Sequence, residues 1–119
     1  MPFTYIDTFD EVFNDIYSWY IDVNGNRLNY DLEYDDLVNV GIEYNTGRKE
    51  WFLIGMRHRL NGPAVIYDNG NIEYRQYNQR HRENGPAVER SNGNVEYWFC
   101  DVLYTLNDYL KLLKLDSLS

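Results

Sequence analysis

Gly47, Gly70 and Gly93 stand 23 residues apart, and the residues that follow them coincide, so the chain must fold as a succession of similar units. Gly47-Arg48-Lys49-Glu50-Trp51 overlays Gly70-Asn71-Ile72-Glu73-Tyr74 and Gly93-Asn94-Val95-Glu96-Tyr97. Further on, Arg57-His58-Arg59-Leu60-Asn61-Gly62-Pro63-Ala64-Val65 matches Arg80-His81-Arg82-Glu83-Asn84-Gly85-Pro86-Ala87-Val88 at eight of nine positions. The third unit loses that block and runs into Tyr104-Thr105-Leu106, as a terminal capping unit does.

Each unit reads as strand, turn, strand. Alternation over Ile72 to Tyr77 marks the first strand, Asn-Gly-Pro the turn, and Pro86 to Arg90 the second strand. Asp68-Asn69-Gly70-Asn71 and Ser91-Asn92-Gly93-Asn94 supply the turns between units. Period-two alternation puts Trp51, Leu53, Ile72, Tyr74, Val95, Tyr97 and Phe99 on a buried face, and Glu50, Glu73 and Glu96 on the opposite one. The recurring carboxylate is expected to pair with nearby arginines across strands. Trp51, Tyr74 and Tyr97 are expected to stack on one another from unit to unit.

These residues resemble the glycine-punctuated hairpins called MORN repeats, in a variant form reading Arg-His-Arg-x-x-Gly-Pro-Ala. Arrays of that variant look like those in proteins of large viruses, bacteriophages and some bacteria. The resemblance covers residues 47–104 and implies an elongated sheet of stacked hairpins used for contacts. The ordinary Tyr-x-Gly opening and His-Gly-x-Gly centre are replaced here, so the lipid binding ascribed to some MORN arrays does not carry over.

Ahead of the repeats, Thr8-Phe9-Asp10-Glu11 has the form of a capping box. Phe9, Val12, Phe13, Ile16, Tyr17 and Tyr20 follow at helical spacing, predicting an amphipathic helix over about residues 9–19. Asn24-Gly25 marks a turn; Leu28, Tyr30, Leu32 and Tyr34 alternate as a strand, and Val38, Val40, Ile42 and Tyr44 continue the pattern. Thr105 is placed to cap a final helix with Leu106, Tyr109, Leu110 and Leu113 as its apolar stripe. The expected fold is mainly β, a β-hairpin repeat sheet with an N-terminal and a C-terminal helix, α+β overall. We read residues 1–119 as one domain: an acidic helix-plus-strand segment (1–46), the tandem hairpins (47–104) and a capping helix (105–115). Helices at both ends are expected to cover the sheet edges.

Charge is unevenly spread. Of the 19 acidic residues ten precede Thr46, against the single basic residue Arg27, whereas residues 47–119 hold nine acids and ten bases. The acidic half either keeps the protein in solution or presents a face to a basic protein partner, reached through Asp31, Glu33, Asp35 and Asp36. Twelve Tyr and three Trp exceed what a small core requires, which favours a contact surface. With Cys100 as the only cysteine, no intrachain disulfide forms. No basic-then-apolar leader opens the sequence and no apolar run is long enough to span a membrane, so a cytoplasmic location is expected, host cytoplasm if the protein is viral.

Motifs for catalysis are missing from the reading: no phosphate-binding glycine loop, no Gly-x-Ser-x-Gly elbow and no calcium-loop spacing around Asp31 to Asp36. His58 and His81 sit between arginines, which repel a metal cation, so a structural role is expected, each donating to a backbone carbonyl or to a Glu of the neighbouring unit. Neither a metal nor a cofactor is implied. Arg57, Arg59, Arg80 and Arg82 either form a basic stripe for phosphate or pair with Glu50, Glu73, Glu83 and Glu89. Two functions follow. The first is a non-enzymatic protein-protein interaction module, in its narrower form a small acidic phage or viral protein that inhibits a host defence factor, for instance by mimicking DNA charge. The alternative is nucleic-acid or phosphoinositide binding through the Arg-His-Arg segments, although nucleic-acid domains are usually basic overall.

Overall fold

The computed structural model describes residues 2–5, 17–28 and 32–118. It is mainly β, with twelve strands: β1 (Pro2–Tyr5), β2 (Tyr17–Ile21), β3 (Asn39–Tyr44), β4 (Lys49–Leu53), β5 (Met56–Arg57), β6 (Val65–Ile66), β7 (Ile72–Glu73), β8 (Arg75–Gln76), β9 (Gln79–Arg80), β10 (Val88–Glu89), β11 (Val95–Phe99) and β12 (Val102–Tyr104). One antiparallel sheet runs β1-β2-β3-β4-β6-β7-β10-β11-β12, with β5 on the far half of β4; β8 and β9 form a separate ribbon. A 3-10 turn spans Tyr34–Leu37 and a helix, α1, spans Leu106–Leu118.

The strand path forks at the aromatic position of each unit. Trp51 N–H donates to the Ala64 carbonyl (2.8 Å) while its own carbonyl accepts from His58 N–H (3.0 Å). Tyr74 repeats this with Ala87 (2.7 Å) and His81 (3.1 Å). The residues before the fork therefore join the continuous sheet, and those after it fold back as a short hairpin. Each hairpin closes through two residues in the left-handed region: Ile54 and Gly55 (φ 47° and 77°), Tyr77 and Asn78 (49° and 72°), Cys100 and Asp101 (48° and 68°). Successive left-handed residues are the geometry of the type I′ turn, whose twist matches that of the strands.

Several expectations change. Within each unit the tight turn lies at the hairpin tip, whereas Asn61-Gly62-Pro63 and Asn84-Gly85-Pro86 are bends leading into β6 and β10; the turns between units lie where expected, Gly70 N–H donating to Tyr67 O (3.1 Å) and Gly93 N–H to Arg90 O (2.9 Å). Most of the helix expected over 9–19 falls outside the described residues, but Tyr17 to Trp19 belong to β2, which pairs with β1 and β3. Aromatic residues there suit a pleated surface, and the edge-on contact of Tyr17 with Trp19 (4.7 Å) fits alternate residues of one strand. Of the strand expected around 28–34, residues 29–31 lie outside the described residues; Leu28, Leu32 and Glu33 belong to no strand and Tyr34 opens the 3-10 turn, where Asp36 accepts from Glu33 N–H (3.0 Å) and Glu33 returns the bond to the Asp36 N–H. Such a reciprocal box turns a chain out of extended conformation.

The core is thin. Among the described residues its buried apolar members are Ile21, Val40, Trp51, Ala64, Val65, Ala87, Val88 and Tyr109. Gly41 lets strands close over it: a Cβ there would lie 2.6 Å from Ile21 Cγ1 and 2.8 Å from the Trp51 indole. Glu50 and Glu73, expected on an outer face, are 3% and 8% exposed, while Val95, expected inside, is 45% exposed. Thr105 does cap α1, its hydroxyl accepting from Asp108 N–H (3.2 Å), but the expected apolar stripe is mostly open: Tyr109 is buried and Leu106 and Leu110 are about half exposed. The helix packs on the sheet face through Tyr109 and Tyr97 (5.0 Å between rings) and leaves the β12 edge without a covering strand among the described residues.

Candidate functional site

The four arginines of the repeated segments are engaged within the molecule. Arg57 meets the buried Glu50 at 2.8 Å, and Arg80 approaches Glu73 at 3.7 Å with its guanidinium 4.9 Å from the Trp98 ring. Arg59 lies 3.6 Å over Trp51 and donates to the carbonyls of Val23 (2.9 Å) and Pro63 (3.2 Å). Arg82 takes the equivalent place 3.8 Å over Tyr74, donating to Pro86 O (3.1 Å) and Glu89 (3.0 Å). Burial lowers the pKa of Arg59, consistent with a guanidinium that faces the protein. The aromatics of successive units thus lie beneath arginines, not against one another. Over Tyr97, where the third unit lacks its Arg-His-Arg block, Tyr109 of α1 takes that place.

The carboxylates complete this arrangement. Glu50 also meets Arg48 (3.1 Å), Glu73 meets Arg75 (2.8 Å), and Glu96 meets Arg90 (2.8 Å). The Arg90 hydrogen bond, joined by the Trp98 indole N–H (2.9 Å), holds the Glu96 carboxyl below its ordinary pKa. Only Arg57 and Arg82 among the four pair closely with an acid, so the expected ion pairing is partial, and aromatic stacking supplies the rest.

Sequence reasoning expected the histidines to donate; both accept through Nδ1, and His81 also donates from Nε2 to Glu83 (3.3 Å). His58 Nδ1 accepts from Tyr77 N–H (3.1 Å), and His81 Nδ1 from Cys100 N–H (2.9 Å). Both N–H groups belong to the tip of the following hairpin, which its left-handed turn aims at the ring. Only an imidazole without a proton on Nδ1 can do this. Burial also holds the His58 pKa below its usual 6.5. Among the described residues no three His, Cys, Asp or Glu gather as a metal set.

Of the acidic candidates, Asp31 lies outside the described residues. Glu33 and Asp36 hold the 3-10 turn, and Asp35 projects from it, exposed. Beside this turn is a feature the sequence reading missed. Ile54 N–H donates to Val38 O (2.7 Å), so the first hairpin tip lies against the end of the acidic turn. Leu37, Val38, Ile54 and Gly55 line an apolar cleft of about 340 Å³. Next to it, Val23, Leu53, Leu60 and Tyr77 border a second cleft of about 360 Å³. Ile54, Leu60 and Tyr77 are 69%, 73% and 57% exposed. The available signal was faint: one apolar residue before a Gly or Asn, recurring at the 23-residue period as Ile54 and Tyr77.

Comparison with family models, with curated proteins and with solved structures returned no match.

Proposed function

We propose that the protein is a non-enzymatic interaction module that binds a basic protein partner through its acidic 3-10 turn and the apolar hairpin tips beside it. Ile54 carries this reading. A β-branched residue in the left-handed region costs about 1–2 kcal/mol, and Asn or Gly would adopt it freely. Here the strained residue is also 69% exposed, so internal packing compensates only in part. Strain of this kind is typically kept where a contact needs the side chain. Asp35 and the surplus of acids before residue 46 supply attraction at longer range. The resemblance of residues 47–104 to contact-making MORN arrays supports the same class. In its narrower form the partner is a host factor that normally binds nucleic acid, and the acids stand in for phosphate. The alternative, an anionic ligand on Arg57, Arg59, Arg80 and Arg82, requires guanidinium groups that already hold internal partners.

The test compares partner capture by the parent, Ile54→Asn and Asp35→Asn in lysate of the native host, at low and at moderate salt. Asn suits the Ile54 backbone, so that variant folds at least as well as the parent. A stoichiometric partner held by the parent, weakened in both variants and released by salt, is the expected result. Recovery of no stoichiometric partner at low salt, or equal recovery by all three proteins, overturns the proposal.

A further inference from the structure

The sheet ends at β12, and the chemistry of that edge differs from that of a guarded one. β12 pairs with β11 as Phe99↔Val102, Trp98↔Leu103 and Tyr97↔Tyr104, closed by the two-residue turn Cys100-Asp101. In a two-residue hairpin the pair next to the turn exchanges both backbone hydrogen bonds, and bonded and non-bonded pairs then alternate. Val102 and Tyr104 therefore bond inward to β11. The N–H and C=O of Leu103 point outward, and among the described residues the sheet order places no strand beyond them.

Natural edges are usually blunted by Lys, Pro, a bulge or a very short strand, and of these β12 has only its shortness. Its apolar side chains are also open, with Val102 and Leu103 50% and 55% exposed, and Leu106 at the start of α1 49%.

We propose that this edge is a self-association site, at which two copies pair β12 with β12 antiparallel about Leu103 and join their sheets end to end. Two features select a second copy as the occupant. A two-fold axis through the Leu103 pair lets each Leu103 give and receive one hydrogen bond, so the outward groups of one chain are satisfied by the same groups of the other. Charge permits the approach as well. The acidic excess belongs to residues 1–46, whereas residues 47–119 carry nine acids and ten bases, so the copies meet through their nearly neutral ends. The edge is short and the area covered falls below the usual size of a stable interface, so the dimer is weak. Because each chain carries a net charge of -8, added salt strengthens the association. The site is remote in sheet order from the acidic turn and does not depend on the reading given there.

Sedimentation velocity over about 5 to 500 μM, at low and moderate salt, measures the association. A reversible monomer-dimer equilibrium, tighter at the higher salt and weakened at least about tenfold by Leu103→Lys, is expected. Leu103 is exposed, so its replacement leaves the fold in place, which circular dichroism checks. Register is read by a cysteine. In a Cys100→Ser background, Leu103→Cys oxidises to a disulfide-linked dimer, because directly opposed bonded residues have Cα atoms about 5.5 Å apart, within disulfide reach. Tyr77→Cys in the same background does not. A monomer at all concentrations, a dimer indifferent to Leu103→Lys, or equal cross-linking at both cysteine positions overturns the proposal.

Discussion

Replacing Tyr109 by Phe removes one hydroxyl, and the structure indicates how much that hydroxyl holds. Its oxygen accepts from Gly85 N–H (3.3 Å), and its proton is shared by the carbonyls of Arg82 and Gly85 (3.0 Å to Gly85 O). The residue is 2% exposed, so water does not replace these bonds without moving α1. Leaving a buried donor and its carbonyl partners unpaired costs about 1–3 kcal/mol. Tyr109→Ala also removes the ring from Tyr97 and opens a cavity, raising the loss to about 3–5 kcal/mol. Since no other described residue of α1 is as buried, this second variant is expected to release the helix from the sheet before the strands unfold. Urea titration followed by tryptophan fluorescence gives the stabilities, and limited proteolysis within α1 reports its release. Leu110→Ala, at a half-exposed position one residue on, serves as the control and stays within about 0.5 kcal/mol of the parent. A Tyr109→Phe protein as stable as the parent, or Phe and Ala variants of equal stability, would show that Tyr109 does not anchor the helix by this hydroxyl.

Other outcomes follow from the same geometry. His58 has a folded pKa below its ordinary 6.5, so the unfolded chain takes up the proton first; its contribution is complete above about pH 6.5 and is lost as pH falls from there toward the folded value. Thermal unfolding at pH 7.5 and 5.0 should therefore show a larger drop for the parent than for His58→Asn, and equal drops would contradict it. Glu50→Ala strands Arg57 and Arg48 around a buried gap and is expected to cost about 3 kcal/mol or more, whereas Glu96→Ala, at a 28%-exposed side chain, should cost under about 1 kcal/mol. Denaturant midpoints compare the two, and a reversed order refutes the reasoning. Gly41→Ala would drive a methyl group into Ile21 and Trp51 and should lower stability by about 1–3 kcal/mol or more, with a red shift of tryptophan emission as the indole is displaced.

The mainly β character was legible because alternation and Asn-Gly punctuation are local signals. Asn69 Oδ1 accepting from Asn71 N–H (3.0 Å), and Asn92 Oδ1 from Asn94 N–H (2.9 Å), are the bonds those turn residues are known to make. The hairpin tips were not legible. Ile54-Gly55, Tyr77-Asn78 and Cys100-Asp101 share no residue type, and Ile, Tyr and Cys are poor choices for a left-handed backbone. Burial of Glu50 and Glu73 escaped the alternation argument for a different reason: it assumes that a carboxylate faces water, and here arginines from neighbouring strands cover it. Tyr17 to Trp19 show a third limit, since apolar and aromatic residues at positions 13, 16, 17 and 20 fit a helical face and a strand equally well until partners are known. The apolar surface around Ile54 depends on which loops meet, and Leu37 and Ile54 come together only through the pairing of β3 with β4.

The acceptor role of the histidines carries a consequence for how such a chain can vary. His58 reaches 19 residues forward to Tyr77, and His81 reaches 19 forward to Cys100; Arg57 O receives from Asn78 N–H as Arg80 O does from Asp101 N–H. Every one of these partners is defined by distance along the chain, not by an address elsewhere in the fold. A gene duplication or deletion spanning one whole period of 23 residues would return each residue to an equivalent neighbour, and α1 would still find a terminal hairpin to close. An insertion of any other size would leave a histidine facing the wrong backbone group. The chain can therefore lengthen or shorten by recombination only in fixed increments, with the end elements carried along unchanged.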